Sequence, residues 1–152
     1  MSTLPEERFS EIRNLAKDIA REIQSATYNN PTEDIFREKL ESIIEKFANE
    51  FNIPLRVKDE YILANGRADT VYNRLVIEWE RPGVLKHDNS YSGNQHAIGQ
   101  LKQYIVDIDK EARFGKERML GIATDGIWII YAKYREKEFK AEKPVRVDYI
   151  SI

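Results

Sequence analysis

Cysteine is absent from this chain of 152 residues, which excludes disulfides and thiolate metal sites and suits a reducing compartment such as the cytoplasm. Any metal must therefore sit on oxygen or on one of the two histidines. Long apolar runs are also missing: nowhere do about eighteen apolar residues follow one another, the length that a membrane-spanning helix requires. The opening MSTLPEERFSEIR is polar and acidic and does not read as a secretory signal. Charge of one sign is not in excess. Lys and Arg number 24 against 26 Asp and Glu, a net charge of −2, so no overall basic field advertises a polyanionic partner, and any nucleic-acid contact must be local. Low-complexity tracts, internal repeats and Pro/Gly-rich linkers are lacking too, so residues 1–152 read as one domain.

What is present is a core-forming sequence, 41% hydrophobic, in two differently patterned parts. Residues 1–52 are helical in period. Phe9, Ile12, Leu15, Ile19 and Ile23 recur at steps of three and four, and after Asn29-Asn30-Pro31 a second series follows with Ile35, Leu40, Ile43, Ile44 and Phe47. Thr32 suits the N-cap of the second helix, with Glu33 and Asp34 in its first turn. Residues 53–152 change to β patterning. PLRVKDEYIL, RADTVY and RLVIEW read as a three-strand meander, Asn94 as the cap of a third helix running to about Ala112, and RMLGIATDGIWIIYAKYR as two strands around Asp125-Gly126. PVRVDYISI reads as a last strand. The expected class is α+β, or mixed α/β, with a central mixed sheet flanked by helices and an N-terminal helical pair.

The run from Gly66 to Gly83, GRADTVYNRLVIEWERPG, holds the most distinctive chemistry. Glu78 and Glu80 lie two apart on a strand and project to one face, with Ile77 and Trp79 on the other. If Asn73-Arg74 is a two-residue turn, residues whose numbers sum to 147 are opposite one another, and Asp69 faces Glu78. Three convergent carboxylates repel one another and resist burial without a counter-charge. Mg²⁺ fits, because it takes oxygen ligands and commonly uses one or two carboxylates plus water or phosphate oxygens. The competing reading is an exposed hairpin edge whose acids pair with Arg67, Arg74 and Arg81.

Gly66-Arg67-Ala68-Asp69 and Val76-Ile77-Glu78-Trp79-Glu80-Arg81-Pro82-Gly83 resemble the PD-(D/E)XK nuclease superfamily, in particular the N-terminal endonuclease domain of type I and type IIG restriction-modification enzymes. The resemblance implies a restriction-endonuclease-like core and metal binding by Asp69 and Glu78. Position 80 departs from the pattern, with Glu in place of the usual lysine. Some restriction endonucleases of the superfamily carry Glu there, which leaves two roles open for Glu80, third metal ligand or general base.

Gln100-Leu101-Lys102-Gln103-Tyr104 resembles the Q-x-x-x-Y helix that follows the active-site strands in such nucleases. It implies a site role for Gln100, with His96 and Tyr104 on the same stripe. Lys102 lies about 200° around the helix from Gln100 and cannot share its face. Lys86, in the following loop, is a freer substitute for the missing lysine. The preceding helix often supplies a further acid in this superfamily, for which Glu33, Glu38 and Glu41 compete and Glu38 is favoured. Gly121 to Trp128 is similar to the hairpin that closes the sheet in these domains, a structural role.

The resemblance covers about Ile53 to Tyr131. It implies a Mg²⁺-dependent endodeoxyribonuclease, with Mn²⁺ able to substitute. It also implies double-stranded DNA as partner, methyltransferase and specificity functions on other domains or subunits, dimerisation for double-strand cleavage, and a domain excised from a longer polypeptide. The alternative is a catalytically silent DNA-binding or interaction module with the same fold.

Overall fold

The computed structural model describes residues 6–54 and 71–147, together with the backbone of residues 62–63, 66–67 and 70. Two helices come first, α1 (Glu6–Thr27) and α2 (Glu33–Glu50). Thr32 caps α2 as expected: its backbone is extended and its hydroxyl accepts the Ile35 N–H at 3.5 Å, with Glu33 and Asp34 against the positive end of the helix. The phase of α2 differs from expectation. Ile35 is 48% exposed, and its neighbour Phe36 is the fully buried residue, set edge-on to Trp79 with ring centroids 6.1 Å apart. Along α1 the apolar stripe is only partly covered: Ala20 and Ala26 are buried, whereas Phe9 is 56% exposed.

Two short strands, β1 (Ile62–Leu63) and β2 (Gly66–Arg67), pair antiparallel as a sheet of their own. The expected meander therefore divides, and residues 55–61 of PLRVKDEYIL lie outside the described residues. Six strands form the main sheet: β3 (Thr70–Tyr72), β4 (Leu75–Trp79), β5 (Leu120–Thr124), β6 (Trp128–Arg135), β7 (Glu138–Ala141) and β8 (Val145–Arg146). Their order is β3-β4-β5-β6-β7, with β8 also on β6. Every pairing is antiparallel except β4 with β5. Parallel neighbours need a crossover, and α3 (Ser92–Ala112) supplies it.

The sheet is thus covered on both faces. Val76, Ala123, Ile130 and Ala132 pack with Ala97, Leu101, Ile105 and Ile108 of α3, whereas Ile77 and Trp79 pack with Ala26, Phe36 and Leu40 of the helical pair. This explains why β4 reads as a nearly continuous apolar run. Among the described residues, no helix is long and apolar enough to cross a membrane.

Two local expectations are corrected. α3 ends at Ala112, as expected, with Arg113 in the left-handed conformation, but its N-cap is Tyr91. Asn94 lies inside the first turn and pairs with the Lys86 backbone instead, accepting its N–H at 2.8 Å and donating to its carbonyl at 2.9 Å. The strand β7 was not anticipated. Its turn is Glu136-Lys137, both at positive φ, a conformation whose usual signal is Asn-Gly. The final strand is described only at Val145–Arg146, since residues 148–152 lie outside the described part.

Candidate active-site hairpin and the loop that follows it

The hairpin carrying the acids has the anticipated turn and register. Thr70 pairs with Ile77, Val71 with Val76 and Tyr72 with Leu75, around Asn73-Arg74. Asn73 adopts φ 54, which asparagine tolerates better than most residues, and its amide donates to the Pro54 carbonyl at 3.1 Å. Asp69 lies outside the described residues.

Glu78 is 4% exposed and sits on β4, an interior strand, in parallel register with Ala123 of β5. Strand alternation sets it on the face of Val76, toward α3, and away from Ile77 and Trp79. Glu80, half-buried, follows on the same face just beyond the strand, and its N–H donates to the Thr124 carbonyl at 2.9 Å. The picture of an exposed hairpin edge does not describe Glu78. Of the arginines proposed to neutralise such an edge, Arg74 lies over the Phe114 ring, 6.0 Å from its centroid, and Arg81 is exposed. The side chain of Arg67 lies outside the described residues.

On α3 the expected stripe exists in part. Gln100, half-buried, donates to the hydroxyl of buried Tyr104 at 3.4 Å, while His96 and Lys102 are exposed. Asp107, seven residues beyond Gln100 and on the same side of the helix, is 5% exposed and accepts from Gln103 at 3.0 Å, a buried acid that residue spacing had not singled out. Lys86 is exposed, and its amine donates to the Gly83 carbonyl at 2.7 Å. The helical-pair acids are not brought to Glu78. Phe36 and Leu40 face the sheet, so Glu38, two residues from each, points away from it, and α2 packs on the opposite face of β4 from Glu78. Glu33 is exposed and Glu41 half-buried on that same helix.

The acids fit a hard cation by chemistry: all donors are carboxylate oxygens, and one or two are enough when water and phosphate complete the shell. Among the described residues, no group of three or more His, Asp or Glu side chains gathers in a form that could hold a metal. Glu78 and Glu80 are the described pair, and the third expected ligand is Asp69.

The most elaborate polar construction is one the sequence disclosed only in part. Asp125, fully buried, accepts four backbone N–H groups: Gly83 and Leu85 on Oδ2 at 3.0 Å each, Ile127 at 2.9 Å and Trp128 at 2.8 Å on Oδ1. The Asp-Gly pair announced the bonds within its own turn. Nothing in local spacing announced the two to the loop after β4. Gly126, at φ 81, is required twice over, because a β-carbon there would lie 2.6 and 2.8 Å from Phe36 ring carbons and would also strike the Thr27 methyl. The 125–127 turn is thereby seated against the helical pair.

No family model, curated protein or solved structure matches the chain.

Proposed function

We propose that the protein is a Mg²⁺-dependent endonuclease acting on DNA in the cytoplasm, the cleavage domain of a restriction-modification system. The observation that supports this most is the burial of Glu78 on an interior strand. An acid there has to be held by something other than bulk water, and Glu80 projects from the same face one alternation further on. The hairpin register is the one on which the pairing of Asp69 with Glu78 depends. The resemblance of the Gly66 to Gly83 run to PD-(D/E)XK nucleases supplies the reaction type.

In this reading Asp69 and Glu78 hold Mg²⁺, or Mn²⁺ in its place, and Glu80 is either a third ligand or the base that takes the proton of the attacking water. The bound metal would supply Lewis acidity and a lowered water pKa for phosphodiester hydrolysis. Gln100 orients polar groups from the α3 side, its own amide steadied by Tyr104. Double-stranded DNA, dimerisation, and methyltransferase and specificity partners belong to the same proposal.

Plasmid cleavage in Mg²⁺ tests it. Asp69→Ala and Glu78→Gln are expected to abolish cleavage while circular dichroism stays unchanged, and full activity in both variants refutes the assignment. Glu80→Lys separates the roles of that residue: retained cleavage makes it the counterpart of the usual lysine, complete loss a metal ligand.

A second reading, a silent module with the same fold, draws on Glu80 standing where the family has lysine and on Lys86 turning its amine to Gly83. Calorimetry with Mn²⁺ distinguishes the two, since the silent module binds no metal.

A further inference from the structure

The loop between β4 and α3 is held far more firmly than a connection requires. Asp125 takes the N–H groups of Gly83 and Leu85, and Asn94 clamps both backbone groups of Lys86. Asp88 takes the Ser90 N–H at 2.8 Å, and the Asn89 amide reaches the Glu142 carbonyl at 2.8 Å. Asp125 and Asn94 are both completely buried, so two polar side chains are spent inside the protein to fix one surface segment.

What this rigid segment presents outward is aromatic. His87 is exposed and Tyr91 is 45% exposed; their ring centroids lie 5.4 Å apart at 63°, and His87 lies 6.5 Å from the half-buried Trp128. His87 and Tyr91 meet edge to face, and Trp128 is packed in part against the core, so the outward ring area is mainly that of His87 and Tyr91. Tyr91 also occupies the N-cap of α3 without making a side-chain capping bond, although Ser90 beside it is of the type that caps well. A cap has been given up where a ring is exposed.

The surroundings favour an anionic ligand. Arg146 is the cross-strand partner of Trp128, and the Asp88 carboxyl is held below the ordinary carboxylate range first by the bonds from Ser90 and then by the charges of His87 and Lys143. The acids nearby are engaged: Asp88 turns back to Ser90, and Glu142 pairs with Arg135 at 2.9 Å. The cluster is also tied to the end of β4, because Thr124 accepts the Glu80 N–H and passes its own hydroxyl to the Trp128 carbonyl at 2.8 Å.

We propose that His87, Tyr91 and Trp128 form a stacking platform for an unpaired nucleobase, with Lys143 and Arg146 meeting the flanking phosphates, so that the preferred DNA has a single-stranded or opened stretch. Rigid rings suit this, since stacking needs a face rather than a base-specific hydrogen bond and loses least when the ring is already fixed. The choice of DNA rests on the nuclease reading.

The test uses the full chain in EDTA, with quenching of Trp128 fluorescence by a short thymidine oligonucleotide and by an abasic oligonucleotide of equal length and charge. Trp79, 2% exposed, contributes a constant background. The thymidine strand is expected to bind about tenfold more tightly than the abasic one. Tyr91→Ala should remove that difference, and Tyr91→Phe should keep it. Equal affinity for the two strands in the unmodified protein, or an unchanged difference in Tyr91→Ala, overturns the proposal. Cleavage is not read in EDTA. Base-dependent binding without Mg²⁺-dependent cleavage would therefore remove the nuclease reading and leave the platform standing.

Discussion

Replacing Asp125 by alanine strips four backbone N–H groups of their acceptor at once. The Leu85 bond is fully buried and the other three are partly buried, so water can reach some of the donors left behind but not all. A buried donor without a partner costs about 1–3 kcal/mol, and hydrogen bonds to a charged acceptor are the stronger kind. Taking about 2 kcal/mol for Leu85 and about 0.5–1 for each of the others, the expected loss is roughly 3.5–5 kcal/mol. For a chain of this length that lowers Tm by very roughly 7–20 °C. Urea denaturation followed by Trp79 emission gives the free energy. Asp125→Asn sharpens the test, because its amide nitrogen must face two donors wherever it is placed, and a loss of at least about 2 kcal/mol is expected despite the unchanged shape. Hydrogen exchange adds a local readout: the Leu85 amide should lose protection in both variants. A loss below about 1 kcal/mol for Asp125→Ala, with Leu85 still protected, would refute the claim that this carboxylate joins the loop to the turn.

Two further outcomes follow from packing and ionisation. Gly126→Ala places a methyl at positive φ and within 2.6–2.8 Å of the Phe36 ring, and should cost about 2–5 kcal/mol by chemical denaturation, with Trp79 emission shifted because Phe36 is its edge-on neighbour. Burial, and for Tyr131 the Glu142 carboxylate after it, raises the pKa of Tyr131 and Tyr134 above the ordinary value of 10.0. Since the folded state holds these protons more tightly than the unfolded chain, their contribution to stability is complete below pH 10 and is lost as pH climbs through the raised values. Ultraviolet titration should show a late-ionising phenolate fraction that disappears in Tyr131→Phe/Tyr134→Phe.

The layered architecture was legible because its signals are local and redundant. Two apolar periods of 3.6, a turn to period two, and a third helical period name two helices, a sheet and a third helix without any knowledge of contacts. The errors fall where local signals compete or are absent. Ile35 and Phe36 are adjacent apolar residues, and either could begin the buried stripe; the choice of Phe36 comes from Trp79 and Gly126, both remote in sequence, whose surfaces it fills. Asn94 looked like a cap because asparagine is a good one, but the Lys86 backbone offered it two bonds where a cap would make one. The strand β7 was hidden because its turn residues, Glu136 and Lys137, carry no preference for positive φ, and the pairing of Tyr134 with Phe139 decides the hairpin instead.

The candidate site divides along the same line. Turn position and register follow from Asn73-Arg74 and from apolar alternation, so that Glu80 shares a face with Glu78 could be read directly. How deeply Glu78 sits could not. A strand beside a hairpin turn can be an edge strand or an interior one. Only the pairing of β4 with β5, forty-odd residues later and reached through α3, turns an exposed acid into one that is 4% exposed. That change alters the physics. On an edge, arginines and water neutralise a carboxylate cheaply and the acid need have no function. On an interior strand next to Ala123, a carboxylate works against the desolvation of its own charge, and substitution by an apolar residue of similar size would commonly stabilise the fold. Glu78→Gln keeps the shape and removes the charge, so it separates a role for that charge from a role in packing.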